Sequence, residues 1–229
     1  MFSETAICEA KKKESIFMIS EILKIFDELY PQSGECFLNY EKPWQLLLAT
    51  ILSAQCTDAR VNMVTADLFV NFPTLEAYAC ADIFELEKAV KQTGFFRAKA
   101  RHLKKTAQIL LAEYGGEIPS GIENLTALSG VGRKTANVVR GHIFKIPSIV
   151  VDTHVKRVSN RLGLTRFQDP VKIEHELMEI LPQSSWINFN QQAITHGRKI
   201  CTARSPKCEN CLLTDYCINA RNIGYNSHK

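Results

Sequence analysis

Four of the eight cysteines stand close together as Cys201, Cys208, Cys211 and Cys217, while Cys8, Cys36, Cys56 and Cys80 are scattered. A disulfide scaffold of a secreted protein is short and cysteine-rich throughout, which this chain is not, so a metal centre is the stronger reading. Four thiolates hold either one tetrahedral zinc ion or an iron–sulfur cubane. Structural zinc usually takes two short Cys-x2–4-Cys pairs. Here Cys208 and Cys211 form one such pair between wider gaps, which favours iron–sulfur and leaves zinc open. Ligation would close the loop Thr202 to Lys207 and present Arg204 and Lys207 beside the centre. The scattered cysteines read as small buried hydrophobes.

A second group of residues suits phosphate and sugar chemistry. The stretch LSGVGRKTAN, residues 128–137, joins a short apolar helix to a new one that starts near Arg133. Gly130 and Gly132 allow a tight turn and can aim backbone N–H groups at an anion in front of that helix. A P-loop requires glycine where Arg133 stands, and a dinucleotide fingerprint requires one where Thr135 stands, so both are excluded. A plain helix-turn-helix connector remains the alternative. Lys134 follows the hairpin, within reach of a sugar whose phosphate those amides held. As a nucleophile it would need its proton removed, through burial or neighbouring cations such as Arg133; otherwise it is a surface charge. Asp152, eighteen positions on, opens another helix. It is equally readable as an N-cap or as the acid that takes a proton or stabilises cationic charge on the sugar.

The elements that must position these groups are helices. Apolar residues recur at helical spacing through Ile19, Ile22, Leu23, Phe26 and Tyr30, predicting a helix over Ser15 to Tyr30. Pro43 suits the first turn of an apolar helix through Leu52, and Thr57 caps one reaching Phe69. Asp82 with Glu85 forms a capping box before Leu86 and Val90. Arg97 to Tyr114 is helical and stops at Gly115-Gly116. Further helices cover Thr135 to Phe144, His154 to Leu162, Val171 to Leu181 and Asn190 to Ile200. Ser148 to Val151 is the one strand-like stretch, and alone it has nothing to pair with, so it reads as an extended connector. The expected fold class is all-α.

With 229 residues, 45% hydrophobic and 23% charged, the chain has the make-up of a globular protein of one or two lobes. Its longest apolar stretch, Trp44 to Ala54, falls short of the roughly 20 residues that cross a bilayer. The N-terminus lacks an apolar signal core, so a cytoplasmic protein without a membrane partner is expected. Net charge is only +4, but it is clustered. Arg97, Lys99, Arg101, Lys104 and Lys105 crowd one segment, and Asp152 is the lone acid between Leu128 and Phe167, among eight basic residues. That distribution suits a polyanion, and equally a solvated helix face.

These motifs, LSGVGRKTANVV, then VDTHVKRVSNRLG, then the four-cysteine run, with LLLATILSAQCTD and TGFFRAKA before them, resemble the endonuclease III family of helix-hairpin-helix DNA glycosylases. The resemblance spans about Ser15 to Cys217. Ser129 departs from it, standing where proline is frequent, and the tails Met1 to Glu14 and Ile218 to Lys229 match nothing. The resemblance implies a two-lobed helix-hairpin-helix DNA glycosylase fold. Residues 36–146 would form a six-helix lobe carrying the hairpin, and residues 1–35 and 147–229 an iron–sulfur cluster lobe. It further implies a base excision repair enzyme that acts on damaged double-stranded DNA; nothing in the sequence requires more than a monomer. Oxidised pyrimidines would be flipped out and removed, and the abasic site cut by β-elimination. Lys134 would attack C1′ and form a Schiff base, with Asp152 assisting. Gln55 would fill the gap left by the flipped nucleotide, and Phe95 would enter from the opposite strand. Without the resemblance these two read as an ordinary helix-end polar residue and a core aromatic. The cysteines would hold a structural [4Fe-4S] cluster. Two alternatives share these motifs: a monofunctional adenine glycosylase, which lacks the lysine, and a non-catalytic DNA-binding or electron-transfer module.

Overall fold

The computed structural model describes residues 4–31 and 35–225, with side chains described from residue 14 onward. In chain order the α-helices are α1 (Glu4–Leu29), α2 (Pro43–Leu52), α3 (Asp58–Asn71), α4 (Leu75–Cys80), α5 (Ile83–Val90), α6 (Phe96–Tyr114), α7 (Ile122–Ala127), α8 (Arg133–Ile143), α9 (Thr153–Leu162), α10 (Pro170–Ile180), α11 (Trp186–Lys199) and α12 (Ile218–Asn222). Among the described residues there is no strand, and Ser148 to Val151 is an extended connector. The fold is all-α.

Local chemistry accounts for the helix ends. Thr57 accepts from the Arg60 amide at the start of α3, and Asp82 accepts from the Phe84 and Glu85 amides ahead of α5. Pro43 opens α2, where the Gln45 side-chain oxygen takes the Glu41 and Lys42 amides. Gly115, in the left-handed region at φ +60°, ends α6. Three elements depart from the sequence reading. Helix α1 begins at Glu4, ahead of the apolar periodicity, and α11 begins at Trp186, four residues early. The six-residue α4, capped by Thr74, is too short to show a period.

Contacts divide the chain into two compact units, the described residues of 36–146 and those of 1–35 with 147–229. In the first, α2 is buried on nearly every side, from Gln45 to Leu52, as an all-round apolar helix must be. It packs against α3, α6 and α8, while α4 and α5 cover α6 and α7 packs on α8. Leu46, Leu47, Leu48 and Leu52 are fully buried, and truncating one to alanine costs about 2–5 kcal/mol. In the second unit α9 packs closely on α11, and α1 and α12 flank that pair. Phe26 of α1 meets Phe189 of α11 edge to face with ring centroids 6.0 Å apart.

Candidate DNA-processing site and cluster centre

The hairpin between α7 and α8 is held from behind by α6. Thr106 Oγ1 donates to the Ser129 carbonyl at 2.8 Å, and His102 Nδ1 lies 3.0 Å from the Ser129 hydroxyl. Ser129 thus gains a partner that a proline ring would lack. Gly130 has φ +77°, and a Cβ there would stand 2.7 Å from Cγ of His102, so position 130 is closed to a side chain. Gly132 differs. It is the N-cap of α8 with φ −90°, and a Cβ there would meet nothing within 4 Å. No side chain caps α8, so its first-turn amides form the kind of open, electropositive front that suits a phosphate. Arg133 and Lys134, the first two residues of α8, are exposed.

Gln55 and Phe95 lie in the same unit as the hairpin. Both are left-handed residues without being glycine, at φ +52° and +46°, and both are exposed. Phe95 is 67% exposed, which excludes the core-aromatic reading. Such backbones cost roughly 1–3 kcal/mol each and concentrate at functional sites. Among the described residues the third of this kind, Lys145, follows α8, where a left-handed residue is an ordinary helix terminator.

Asp152 is the N-cap of α9, its Oδ1 accepting from the amides of His154 at 2.8 Å and Val155 at 2.7 Å. The capping role is real, and it fixes the carboxylate while leaving Oδ2 outside the cap. The same helix carries Arg157 and Arg161, which hold the cysteine loop. Arg157 Nε donates to the Cys201 carbonyl at 3.0 Å; Arg161 donates to the Thr202 and Ala203 carbonyls at 2.7 and 3.0 Å and to Cys201 Sγ at 3.2 Å. Asp152 and the cysteine loop are therefore mounted on one rigid rod.

Cys201, Cys208, Cys211 and Cys217, none of them in a disulfide, line one cavity with Val158, Leu162, His196 and Lys207. Thiols spread around a shared cavity suit a cubane, whose ligands each take a different corner. Short 3-10 turns, Cys208–Asn210 and Thr214–Tyr216, lead into Cys211 and Cys217. His196, 2% exposed, lies between Tyr30 Oη, 3.0 Å from Nδ1, and Cys211 Sγ, 3.6 Å from Nε2. Burial pushes the His196 imidazole down to about 4 and the Cys211 thiol up to about 11, so metal loading must expel thiol protons. The loop from Thr202 to Lys207 is folded back by Lys207 N donating to the Ile200 carbonyl at 3.0 Å, with Arg204 and Lys207 exposed. The scattered cysteines do not match the expected burial: Cys36 and Cys56 are half-buried and Cys80 is exposed. Cys8 lies outside the described side chains.

Residues 48–183 match the family described as HhH-GPD superfamily base excision DNA repair protein. Residues 201–217 match the iron-sulfur binding domain of endonuclease III. Endonuclease III of Synechocystis sp. is 49% identical over 203 residues, which cover 88% of this chain and 92% of that protein. This chain belongs to the endonuclease III family. Endonuclease III of Bacillus subtilis is 42% identical over 191 residues, covering 83% of this chain and 87% of that protein. The solved structure of a trapped endonuclease III–DNA covalent intermediate superposes with a TM-score of 0.86 at 40% identity, covering 91% of this chain and 98% of that one. Endonuclease III membership brings with it bifunctional DNA glycosylase and lyase activity and a [4Fe-4S] cluster, and sets aside the zinc, monofunctional and non-catalytic alternatives. No helix among the described residues is long and apolar enough to cross a membrane.

Sequence reasoning missed Lys99, His102, Arg157, Arg161 and His196 as supports of these sites. Only Lys99 left a trace, a lysine in register with Leu103, Ala107 and Leu110 on the apolar stripe of α6.

Proposed function

We propose that this endonuclease III family member removes oxidised pyrimidines from duplex DNA and cuts the resulting abasic site by β-elimination through a Schiff base on Lys134. The observation that carries this reading is the uncapped front of α8, with the left-handed Gly130 behind it and exposed Lys134 at its second position. A phosphate held by the α8 amides would set the register of the strand without reading its sequence. Covering DNA would supply Lys134 with the dry surroundings that the protein alone does not.

In this mechanism the Lys134 amine, once deprotonated, attacks C1′ of the flipped nucleotide, and the base leaves with a proton. The C1′–N bond becomes an iminium as the sugar ring opens. Loss of a C2′ proton then expels the 3′ phosphate, and water releases the lysine. Asp152, held by the α9 amides through Oδ1, accepts the amine proton or balances the cationic sugar with Oδ2. Gln55, exposed on a strained turn, would fill the space left by the flipped nucleotide, and Phe95, exposed on another, would enter from the opposite strand. Arg133, Arg204 and Lys207 would contact the backbone. Cys201, Cys208, Cys211 and Cys217 would ligate the cluster, whose contribution is to staple the 201–217 loop.

A lesion panel tests the substrate class. Under single turnover, duplexes carrying one oxidised pyrimidine should lose the base and be nicked at least 100-fold faster than duplexes carrying an oxidised purine or no damage. Equal rates across the panel, or activity confined to the purine, would overturn the assignment.

A further inference from the structure

We infer that Lys99 is a positioning residue that locks together the two turns bearing Gln55 and Phe95, and so sets the rate at which a nucleotide is flipped. The inference rests on the reading of those two residues as the groups that enter the duplex. Lys99 is 3% exposed in α6. Its Nζ donates to the Leu52 carbonyl at 2.8 Å and to the Thr93 carbonyl at 2.7 Å. Leu52 ends α2, three residues before Gln55, and Thr93 ends a 3-10 turn, two residues before Phe95. The backbone amide of Lys99 also donates to the Phe95 carbonyl at 3.1 Å. One residue therefore grips both turns.

A buried ammonium is expensive unless its charge is met. The Lys99 ammonium is met by the Leu52 and Thr93 carbonyls, so backbone dipoles receive its charge. The Leu52 carbonyl belongs to the negative end of α2, where a cation is favoured. Burial lowers the Lys99 pKa, with Cys56 opposing the shift. A methionine would fill the same space without this cost, so simple core packing gives no reason for a lysine here. What the ammonium adds is direction: two carbonyls that would otherwise be orphaned are fixed to one nitrogen. Left-handed non-glycine residues persist only where the surroundings over-determine them, and Lys99 is the group that ties both of these turns to the same point.

The test uses the iron-loaded enzyme and duplexes with 2-aminopurine beside the lesion, whose fluorescence reports unstacking. Lys99→Met should slow flipping and single-turnover excision by 10-fold or more on fully paired duplex. Binding to a duplex that already holds an abasic site should change less than threefold. Added to a Gln55→Ala/Phe95→Ala background, Lys99→Met should cost less than a further threefold, because its effect acts through those residues. Wild-type flipping by folded Lys99→Met, or full additivity with the double variant, overturns the inference. If Lys99→Met fails to fold, Lys99→Arg decides: its wider fork must shift the two carbonyls, so flipping by the folded variant slows at least threefold, and wild-type flipping rejects the role. Gln55→Ala and Phe95→Ala variants that flip like wild type would instead remove the wedge reading itself.

Discussion

Alanine at Gly130 and alanine at Gly132 should fail for different reasons, because the hairpin needs the two glycines for different things. At Gly130 an L-residue must adopt φ +77°, which costs about 1–2 kcal/mol. Its Cβ would also stand 2.7 Å from Cγ and 2.9 Å from Cβ of His102. Relief requires moving α6 or the hairpin, and overpacking of this kind costs about 1–3 kcal/mol. Together these predict a loss of about 2–5 kcal/mol, or about 5–15 °C in melting temperature. At Gly132 the backbone is ordinary and the space empty, so alanine should cost less than about 1 kcal/mol as a poorer N-cap. The empty space is where a phosphate would approach, so Gly132→Ala should weaken duplex binding tenfold or more while melting almost as wild type. Differential scanning calorimetry and fluorescence anisotropy with a lesion duplex read the two effects separately. Adding His102→Ala to Gly130→Ala should recover the part of the clash due to the ring and leave the 2.9 Å approach to the Cβ of residue 102 together with the backbone portion. Gly132→Ala that binds DNA within twofold of wild type would refute the phosphate role and return the hairpin to a connector.

Asp152→Asn keeps a capping oxygen, so it should fold and bind lesion duplex like wild type while single-turnover excision falls at least 100-fold. Asp152→Ala should also lose about 0.5–2 kcal/mol of stability with the cap, and an Asn variant with wild-type rate would leave Asp152 as a cap alone. Purified protein should be yellow-brown with four irons per chain; extracting them should loosen the 201–217 loop and weaken DNA binding about tenfold, with circular dichroism showing most helix retained. Zinc in place of iron in freshly purified protein would contradict the cluster. Duplex affinity should fall steeply with salt, and Arg133→Ala should reduce the slope of log K against log salt by about 1; an unchanged slope would remove Arg133 from the backbone contacts.

The parts of this molecule that are legible in its sequence are those set by near neighbours. Thr57, Asp82 and Gly115 begin or end helices through bonds that span a few residues, and α2 declares its burial by an unbroken apolar run. The cysteine run and the two hairpin glycines are equally local. What could not be read depends on partners far along the chain. Lys99 looks like one charge in a basic cluster until its bond to the Leu52 carbonyl, 47 residues away, shows it is buried. Phe95 looks like a core residue because its type is apolar, and only its left-handed turn turns it outward. The contacts of Arg157 and Arg161 with Cys201, 44 and 40 residues on, and the seat of His196 against Cys211 likewise arise from packing, which no periodicity encodes. Helix α4 escaped because six residues carry less than two turns of pattern.

The mechanism turns on a covalent bond between Lys134 and the sugar. Borohydride reduction during turnover on a duplex with one oxidised pyrimidine should trap wild-type protein on DNA, with peptide mass spectrometry placing the adduct on Lys134. Lys134→Ala should give no adduct at that position and should lose strand cleavage. An adduct on another residue, or wild-type trapping by Lys134→Ala, would contradict the mechanism.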